Sequence, residues 1–475
     1  MNISRRSLIG SLAVGGAALG LSGCEQISNN TNNLNESDSS GLPDGPVLPS
    51  EPDSLLLNHV NAVEQMQKAG VDLLLCRDPV NVQYLTNIRS TSNFIGVDGV
   101  VYAALSASID KKPTFIGSEI GYFFDAPPES VGDQLDFRFS GIPAEPEVFA
   151  TLTEARDIIN ATSIPFGRQK IHDEKLFSKS ERRRLDQVVR ARGEIRASME
   201  ACILEEILDT DLSNKTIAID DLNLRPIIEK TGLDIKIVDG ERLIRRMRMI
   251  KSPKEIEYMR FAAEVNCLAA KTAVKTARDG ASYIDIRNVF AKTCATYGNK
   301  AKFLMMDTHN SWLADGKVEE GRSFLVDAVS EFQEYHGDYG RTVCIGEPNK
   351  KMQAVTDGLS WVWDRILPEL KPGTTYAQIF GLANRLFSET GVDVQYGVNP
   401  HNVGMHHHDE PNAVDFSLTY AKDLNINLQE GMVISIDMPV LDIGQGGSAH
   451  LEDSVIITKD GPEFINDPAD RLIIV

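Results

Sequence analysis

Four carboxylates and one imidazole sit on or beside apolar, strand-like runs in the last third of the chain. Asp327 lies in Phe324-Leu-Val-Asp-Ala328, and Asp338 in His336-Gly-Asp-Tyr-Gly-Arg-Thr342, which leads into Val343-Cys-Ile-Gly346. His401 opens His401-Asn-Val-Gly404, Asp437 ends Met432-Val-Ile-Ser-Ile436, and Glu452 opens Glu452-Asp-Ser-Val-Ile-Ile-Thr458. Half-buried strand positions exclude carboxylates, because an unpaired buried charge is costly. Any fold that accepts these runs must therefore compensate the charges together, and a cation does so. An oxygen-rich set with one imidazole suits Mn²⁺ first, with Fe²⁺, Co²⁺ or Zn²⁺ as the other candidates. Two such ions sharing carboxylates make a hydrolytic centre.

A chain of 475 residues exceeds one ordinary core, so two domains with extensions are expected. Hydrophobic residues at 42% and charged ones at 24% give a globular composition. The net charge is -20, and loss of residues 1–23, with Arg5 and Arg6 as their only charges, would bring it to -22. Such a field disfavours nucleic acid as a partner. Solubility is the plainer reading of the acidity.

The N-terminus reads as a targeting segment. Ser4-Arg5-Arg6-Ser7-Leu8-Ile9 precedes a Gly/Ala-rich apolar stretch through Leu21, the pattern of a twin-arginine export signal. Leu21-Ser22-Gly23-Cys24 then reads as a lipobox, with Cys24 as the lipid-bearing residue after cleavage. The expectation is a lipoprotein held to a membrane through Cys24 and facing the periplasm or cell exterior. An uncleaved anchor is the alternative, disfavoured because Ser7–Gly23 is short for a span and rich in glycine. Five further cysteines (Cys76, Cys202, Cys267, Cys294 and Cys344) are odd in number and form no C-x-x-C pair, so they are expected in cores and not in a disulfide scaffold.

Residues 24–52, rich in Asn, Ser, Asp, Pro and Gly, read as a flexible linker, with order beginning near Leu55. From 53 to 245, buried-strand runs alternate with helical stretches: Val71–Cys76, Gly99–Leu105, Thr114–Ile116, Thr216–Ile219 and Ile235–Val238 are the strands, and Ser178–Ala197 is a helix. This pattern predicts an α/β domain without a metal cluster. A second domain, 246–475, opens on the capping box Ser252-Pro-Lys-Glu255, with Pro at the first helical position. The helix carries Ile256, Met259, Ala263 and Cys267 on one face. Two later segments look alike: Lys275–Gly280 before a helix near Ile284–Ala295, and Leu370–Gly373 before one near Tyr376–Ser388. Gly298 and Gly391 follow the two helices. A faint duplication of this kind predicts helices on one face of an antiparallel sheet, with one site between the halves.

These residues resemble the metallopeptidases that include Xaa-Pro aminopeptidase, prolidase and methionine aminopeptidase, with creatinase on the same pita-bread fold. The resemblance covers residue 53 to the end, and its two-domain plan matches the aminopeptidase P, prolidase and creatinase branch. Asp78-Pro-Val-Asn81 with Tyr84-Leu85, and Met249-Ile-Lys-Ser-Pro-Lys-Glu-Ile256, resemble that branch's N-domain signature and its entry to the catalytic domain. The resemblance implies a creatinase-like N-terminal α/β domain and an α+β pita-bread catalytic domain. The two family Asp come eleven residues apart, as do Asp327 and Asp338, and Arg341-Thr342 matches the trailing pair. His401-Asn-Val-Gly404 with His408 seven residues on fits the histidine motif, and Glu452-Asp453 fits the last one.

On that resemblance, Asp327, Asp338, His401, Asp437 and Glu452 would hold two divalent metal ions, with Asp338 and Glu452 shared. Asp437 would also serve as general base, while His309 and His408 would hydrogen-bond the scissile carbonyl or the oxyanion. The substrate would be a short peptide cut from its N-terminus, Xaa-Pro above others, and the assembly a homodimer. Two departures stand out: Asp437 replaces a Glu, and His450 stands where Xaa-Pro enzymes commonly carry Arg. They keep two alternatives open, a non-peptidase hydrolase or lyase of a small metabolite and a binding protein without catalysis. His406 and His407 read as by-products of a His-rich turn, with an adventitious metal contact as the alternative, His336 as a neighbour of Asp338 without chemistry, and Trp361-Val-Trp363 as core.

Overall fold

A computed structural model describes residues 44–97, 100–140, 174–191, 195–196, 198–210, 215–307, 309–311, 313, 316–392, 398–412 and 424–475. The export signal, the lipobox with Cys24 and most of the expected linker lie outside these residues.

The N-terminal sheet comprises β1 (Leu73–Cys76), β2 (Val101–Ser106), β3 (Thr114–Ser118), β4 (Asp136–Ser140), β5 (Ile195–Arg196), β6 (Thr216–Ile219) and β7 (Lys236–Asp239). Its order is β5-β4-β3-β2-β1-β6-β7. The central β1 is buried along its whole length, as its run of Leu and Cys predicts. Beside it, Asp78 caps the helix Pro79–Thr86 by accepting from the amides of Val80 and Asn81.

The second sheet comprises β8 (Lys300–Met306), β9 (Ser323–Phe332), β10 (Tyr335–Cys344), β11 (Asn399–Asn402), β12 (Asp409–Asn412), β13 (Val433–Val440), β14 (Ala449–Thr458), β15 (Gly461–Phe464) and β16 (Leu472–Ile474). The main path runs β12-β11-β13-β14-β10-β9-β8, with β15 on β14 and β16 on β10. The two repeated segments occupy its two halves. Helices Pro253–Val274 and Tyr283–Tyr297 accompany β8–β10, and helices Lys350–Ile366 and Tyr376–Glu389 accompany β11, β13 and β14. The halves meet where β10 pairs antiparallel with β14.

The capping box at Ser252 and Glu255 is formed in both directions. Small residues on this helix let it lie close to the sheet. A Cβ at Gly337 of β10 would stand 2.5 Å from the carbonyl oxygen of Ala262, so only glycine permits that approach. The helix Tyr283–Tyr297 ends on Gly298 at φ 98°, a left-handed cap. Trp363 is fully buried, as its helical pattern implied, and the five described cysteines are buried and free.

Gly45–Val475 form one unit, because the two sheets share an apolar core. Leu74, Tyr84 and Phe115 of the first region belong to the same cluster as Tyr258, Phe332 and Val433 of the second. The Arg89–Glu334 ion pair at 2.8 Å and the Gln83 amide donating to the carbonyl of Gln333 add polar ties. The described chain also reaches back before the expected start of order: Lys254 donates to the hydroxyl of Ser50, and Gly45 rests against the ring of Tyr297. No helix among the described residues is long and apolar enough to cross a membrane.

Candidate metal centre

Register builds the site. Asp327 of β9 stands opposite Gly340 of β10, Gly340 opposite Glu452 of β14, Glu452 opposite Asp437 of β13, and Asp437 opposite Asn399 of β11. Side chains alternate faces with a period of two. Asp338, His401, Ser435 and His450, each two residues from a member of that row, therefore share its face. One face at the joint of the halves thus collects four carboxylates and two imidazoles.

Three groupings of potential ligand atoms result, each with its atoms within 4.8 Å of one another: Asp327, His450 and Glu452; Asp338, His401 and Glu452; and His401, His407 and His408. The His401 Nε2 lies 3.5 Å from Asp338 Oδ2 and 3.4 Å from Glu452 Oε1. Its Nδ1 faces the carbonyl of Asn402 at 3.4 Å, which leaves the Nε2 lone pair toward the carboxylates. Glu452 accepts from the Ser435 hydroxyl at 2.8 Å. Asp338 and His401 are 1% exposed and Glu452 is 2% exposed, so water does not compensate them.

The electrostatics describe acidic groups and imidazoles buried close enough to shift one another's protonation. Burial, reinforced by Asp338 and Asp437 and opposed by His450, pushes Asp327 up to about 7. Burial, then the charges of Asp338, Asp437 and Asp327, carries Glu452 well above the carboxylate range. Burial acts to raise Asp338 as well, yet His407 and His401 hold it below its ordinary value. Burial would lower His407, but Asp338, Asp327 and Asp437 lift it to about 9. His408 falls to about 3, through burial and the neighbouring His401 and His407. Like charges this close cannot all ionise unless a positive charge joins them.

A divalent ion fits this set. Asp327 Oδ1, both oxygens of Asp338 and Nε2 of His401 are buried without a hydrogen-bond partner. Buried polar atoms normally find partners, and here four of them converge on one space. Asp327, Asp338, His401 and Glu452, all expected from the sequence, come together. Asp437 joins none of the three groupings; its Oδ1 meets His450 Nε2 at 2.7 Å. His408 stacks on His401, ring centroids 4.1 Å apart. His309 sits after β8, edge-on to Tyr283, with its carbonyl accepting from Arg287, and it joins none of the groupings.

The bystander reading of His407 does not hold: its Nε2 lies 3.1 Å from Asp338 Oδ2. The seven-residue spacing pointed to His408, and nothing local signalled that the turn also folds His407 inward. His406 does stay off the carboxylates, its Nδ1 against Arg248 at 3.0 Å. His336 turns to the carbonyl of Gly404 and to Glu331.

Behind the sheet, Arg341 points away from the row. It donates to the carbonyls of Gly340 and Glu452 at 2.8 Å each, and to Asp453 Oδ1 at 2.7 Å. This buried fork ties β10 to β14 beneath the ligands. A second buried pair, Arg248–Asp409 at 3.0 Å, anchors the far end of the histidine turn, with Asn81 also on Arg248.

Residues 257–459 match the profile of Metallopeptidase family M24. A Xaa-Pro dipeptidase of Pyrococcus horikoshii is 29% identical over 252 residues, spanning 50% of this chain and 68% of that protein. A probable dipeptidase PepE of Mycobacterium tuberculosis is 26% identical over 266 residues, 54% of this chain and 68% of its own length. Among solved structures, the Xaa-Pro dipeptidase from Bacillus anthracis superposes with a TM-score of 0.61 at 17% identity, covering 88% of this chain and all of that one (100%). The prolidase from Pyrococcus horikoshii gives 0.56 at 18% identity, covering 86% and 97%. The fold is the pita-bread arrangement with an α/β region before it.

Proposed function

We propose that this chain, which carries an M24 metallopeptidase domain over residues 257–459, is a metal-dependent exopeptidase that removes N-terminal residues from short peptides, Xaa-Pro substrates foremost. The observation that carries the reading is the register row. It sets Asp327, Asp338, His401 and Glu452 on one buried face, with ligand atoms of Asp327, Asp338 and His401 unpartnered. Asp327 would hold one ion and His401 the other, with Asp338 and Glu452 between them. Ions bound there would supply Lewis-acid polarisation of a carbonyl and a water of lowered pKa.

The chain's own residues supply the remainder. Ser435 orients Glu452. His408, kept neutral by its surroundings, can donate a hydrogen bond to the oxyanion that develops at the scissile carbonyl. Asp437, 19% exposed at the rim, is the carboxylate placed to take a proton from the attacking water. The sequence signals add a location: export by the twin-arginine route and a membrane anchor on Cys24.

The test is elemental analysis of the purified protein beside a screen of Xaa-Pro dipeptides and tripeptides. Bound divalent metal with Xaa-Pro cleavage is the expected result. A protein that takes up no divalent ion after reconstitution refutes the catalytic reading. A metal-loaded protein that leaves every peptide intact yet turns over a small metabolite moves the assignment to a non-peptidase hydrolase. For location, mature protein beginning at a lipidated Cys24 is expected in membrane fractions, and an unprocessed cytosolic form in native cells refutes it.

A further inference from the structure

We infer that His450 is itself a metal ligand, giving the Asp327 side of the centre an imidazole of its own, with Asp437 as that imidazole's neighbour at the rim. The inference rests on the metal-centre reading above. His450 is 1% exposed and lies on the ligand face of β14, two residues before Glu452. Its Nδ1 faces the carbonyl oxygen of Val326 at 3.2 Å. A carbonyl only accepts, so Nδ1 carries the ring hydrogen and Nε2 is left to face the site. This is the tautomer that metal-bound imidazoles adopt when a backbone carbonyl holds the other nitrogen.

Nε2 faces three carboxyl groups. Asp437 Oδ1 lies at 2.7 Å, Glu452 Oε2 at 3.6 Å, and the Asp327 carboxylate falls within the same 4.8 Å grouping. The 2.7 Å contact is that of a hydrogen shared between Nε2 and Asp437 Oδ1, and a metal ion taking that hydrogen's place would meet the same donors. Ligands held about 2.0–2.2 Å from an ion lie roughly 3–4 Å from one another, and the 3.6 Å between His450 Nε2 and Glu452 Oε2 falls in that range.

The strand opposite is shaped for the ring. A Cβ at Gly340 would lie 2.4 Å from both Nδ1 and Cε1 of His450, and 2.8 Å from the Cβ of Glu452. The β10 position of the register row is therefore glycine where the imidazole crosses it. Thr342 fixes the backbone of the same residue, its hydroxyl accepting from the amide of His450 at 2.9 Å and donating to its carbonyl at 3.1 Å. Gly340, Thr342 and Val326 together hold the ring, and the shorter Asp437 leaves it room. An added nitrogen donor moves the site's preference from Mn²⁺ toward Co²⁺ and Zn²⁺.

Proton NMR of the dicobalt protein counts the ligands, since each cobalt-bound imidazole gives one strongly shifted, solvent-exchangeable N–H signal. At least two signals are expected, from His401 and His450. His450→Gln should lose one of them, and the affinity for one of two Co²⁺ ions should fall by on the order of 10²-fold in calorimetry. Gly340→Ala should remove the same signal with His450 still in the chain, and His407→Leu should leave it in place. Two retained ions with an unchanged set of shifted N–H signals in His450→Gln would overturn the assignment while leaving the metal-centre reading intact. If His450→Gln is insoluble, a single signal in the wild-type dicobalt protein overturns it equally. Failure of the wild-type protein to bind Co²⁺ at all would remove both readings.

Discussion

Replacing Arg341 with methionine tests the joint between the halves. The guanidinium is fully buried, as is its partner Asp453. It makes three hydrogen bonds of 2.7–2.8 Å, two of them to backbone carbonyls of β10 and β14. Its plane lies 4.1 Å from the Tyr339 ring. In Arg341→Met, the Asp453 carboxylate keeps only the Asn466 amide at 2.9 Å. Breaking a buried pair from one side costs about 3–5 kcal/mol, because the remaining charge is uncompensated. At about 2.1 cal/mol/K of unfolding entropy per residue, a cooperative unit the size of Gly45–Val475 would melt roughly 3–6 °C lower. The assay is thermal unfolding of the metal-free protein followed by near-ultraviolet circular dichroism. Arg341→Met with Asp453→Leu removes both charges and should recover most of the loss, giving a large coupling in the double-mutant cycle. Arg341→Lys should recover little, since an ammonium cannot span the fork. A single variant costing under about 1 kcal/mol, or a double variant costing the sum of its parts, would refute the reasoning.

Three further outcomes are expected. Glu452→Ala should lose bound metal and activity together, measured by elemental analysis and peptide turnover; full metal content with activity would contradict its place between the ions. His408→Ala should lower kcat by roughly 10²–10³-fold with little change in metal content, comparable to losing one oxyanion donor; an effect confined to KM would argue against that role. Asp220 of the N-terminal region should titrate at about 6, because burial outweighs its hydrogen bonds from Asn81, Arg77 and Asp78. The folded protein then keeps a proton that the unfolded chain releases near 3.8. Its contribution is greatest below that value, is lost by about 1–3 kcal/mol as pH rises to 6, and is constant above. Carbon-13 NMR that places the carboxyl at or below 4 would sink this.

The strands were legible where their local pattern decides them. Thr216–Ile219 emerges with the bounds read from its apolar run. The capping box at Ser252 and the helix before Gly298 follow from residues within a turn of each other. The carboxylates were legible because charge on an apolar run demands an explanation. Register was not legible, since the pairing of Asp327, Gly340, Glu452 and Asp437 is set between strands far apart in the chain. His407 reads as a bystander in the sequence for the same reason: a turn's curl, not its spacing, aims that ring at Asp338. His450 was visible as a departure, but its ring's neighbours on β9, β10 and β13 belong to the folded sheet alone. Two-residue β5 carries too few residues for any periodic pattern to show.

The pairing of β10 with β14 has a consequence for how the molecule ages and turns over. Asp327 and Asp338 come from one repeat, and His401 and Glu452 from the other, so ions held among them would rivet the seam. A ligand present at a hundred times its dissociation constant adds about 2.7 kcal/mol to the form that binds it. Starved of such ions, the same seam holds buried acidic groups that must take up protons to coexist, and opening there relieves their crowding. Exchange of the β10 and β14 amides should therefore quicken on chelation before the outer strands respond. Ion scarcity in the surroundings would then be felt first as a loosening down the middle of the sheet, and a protease would find its earliest entry there.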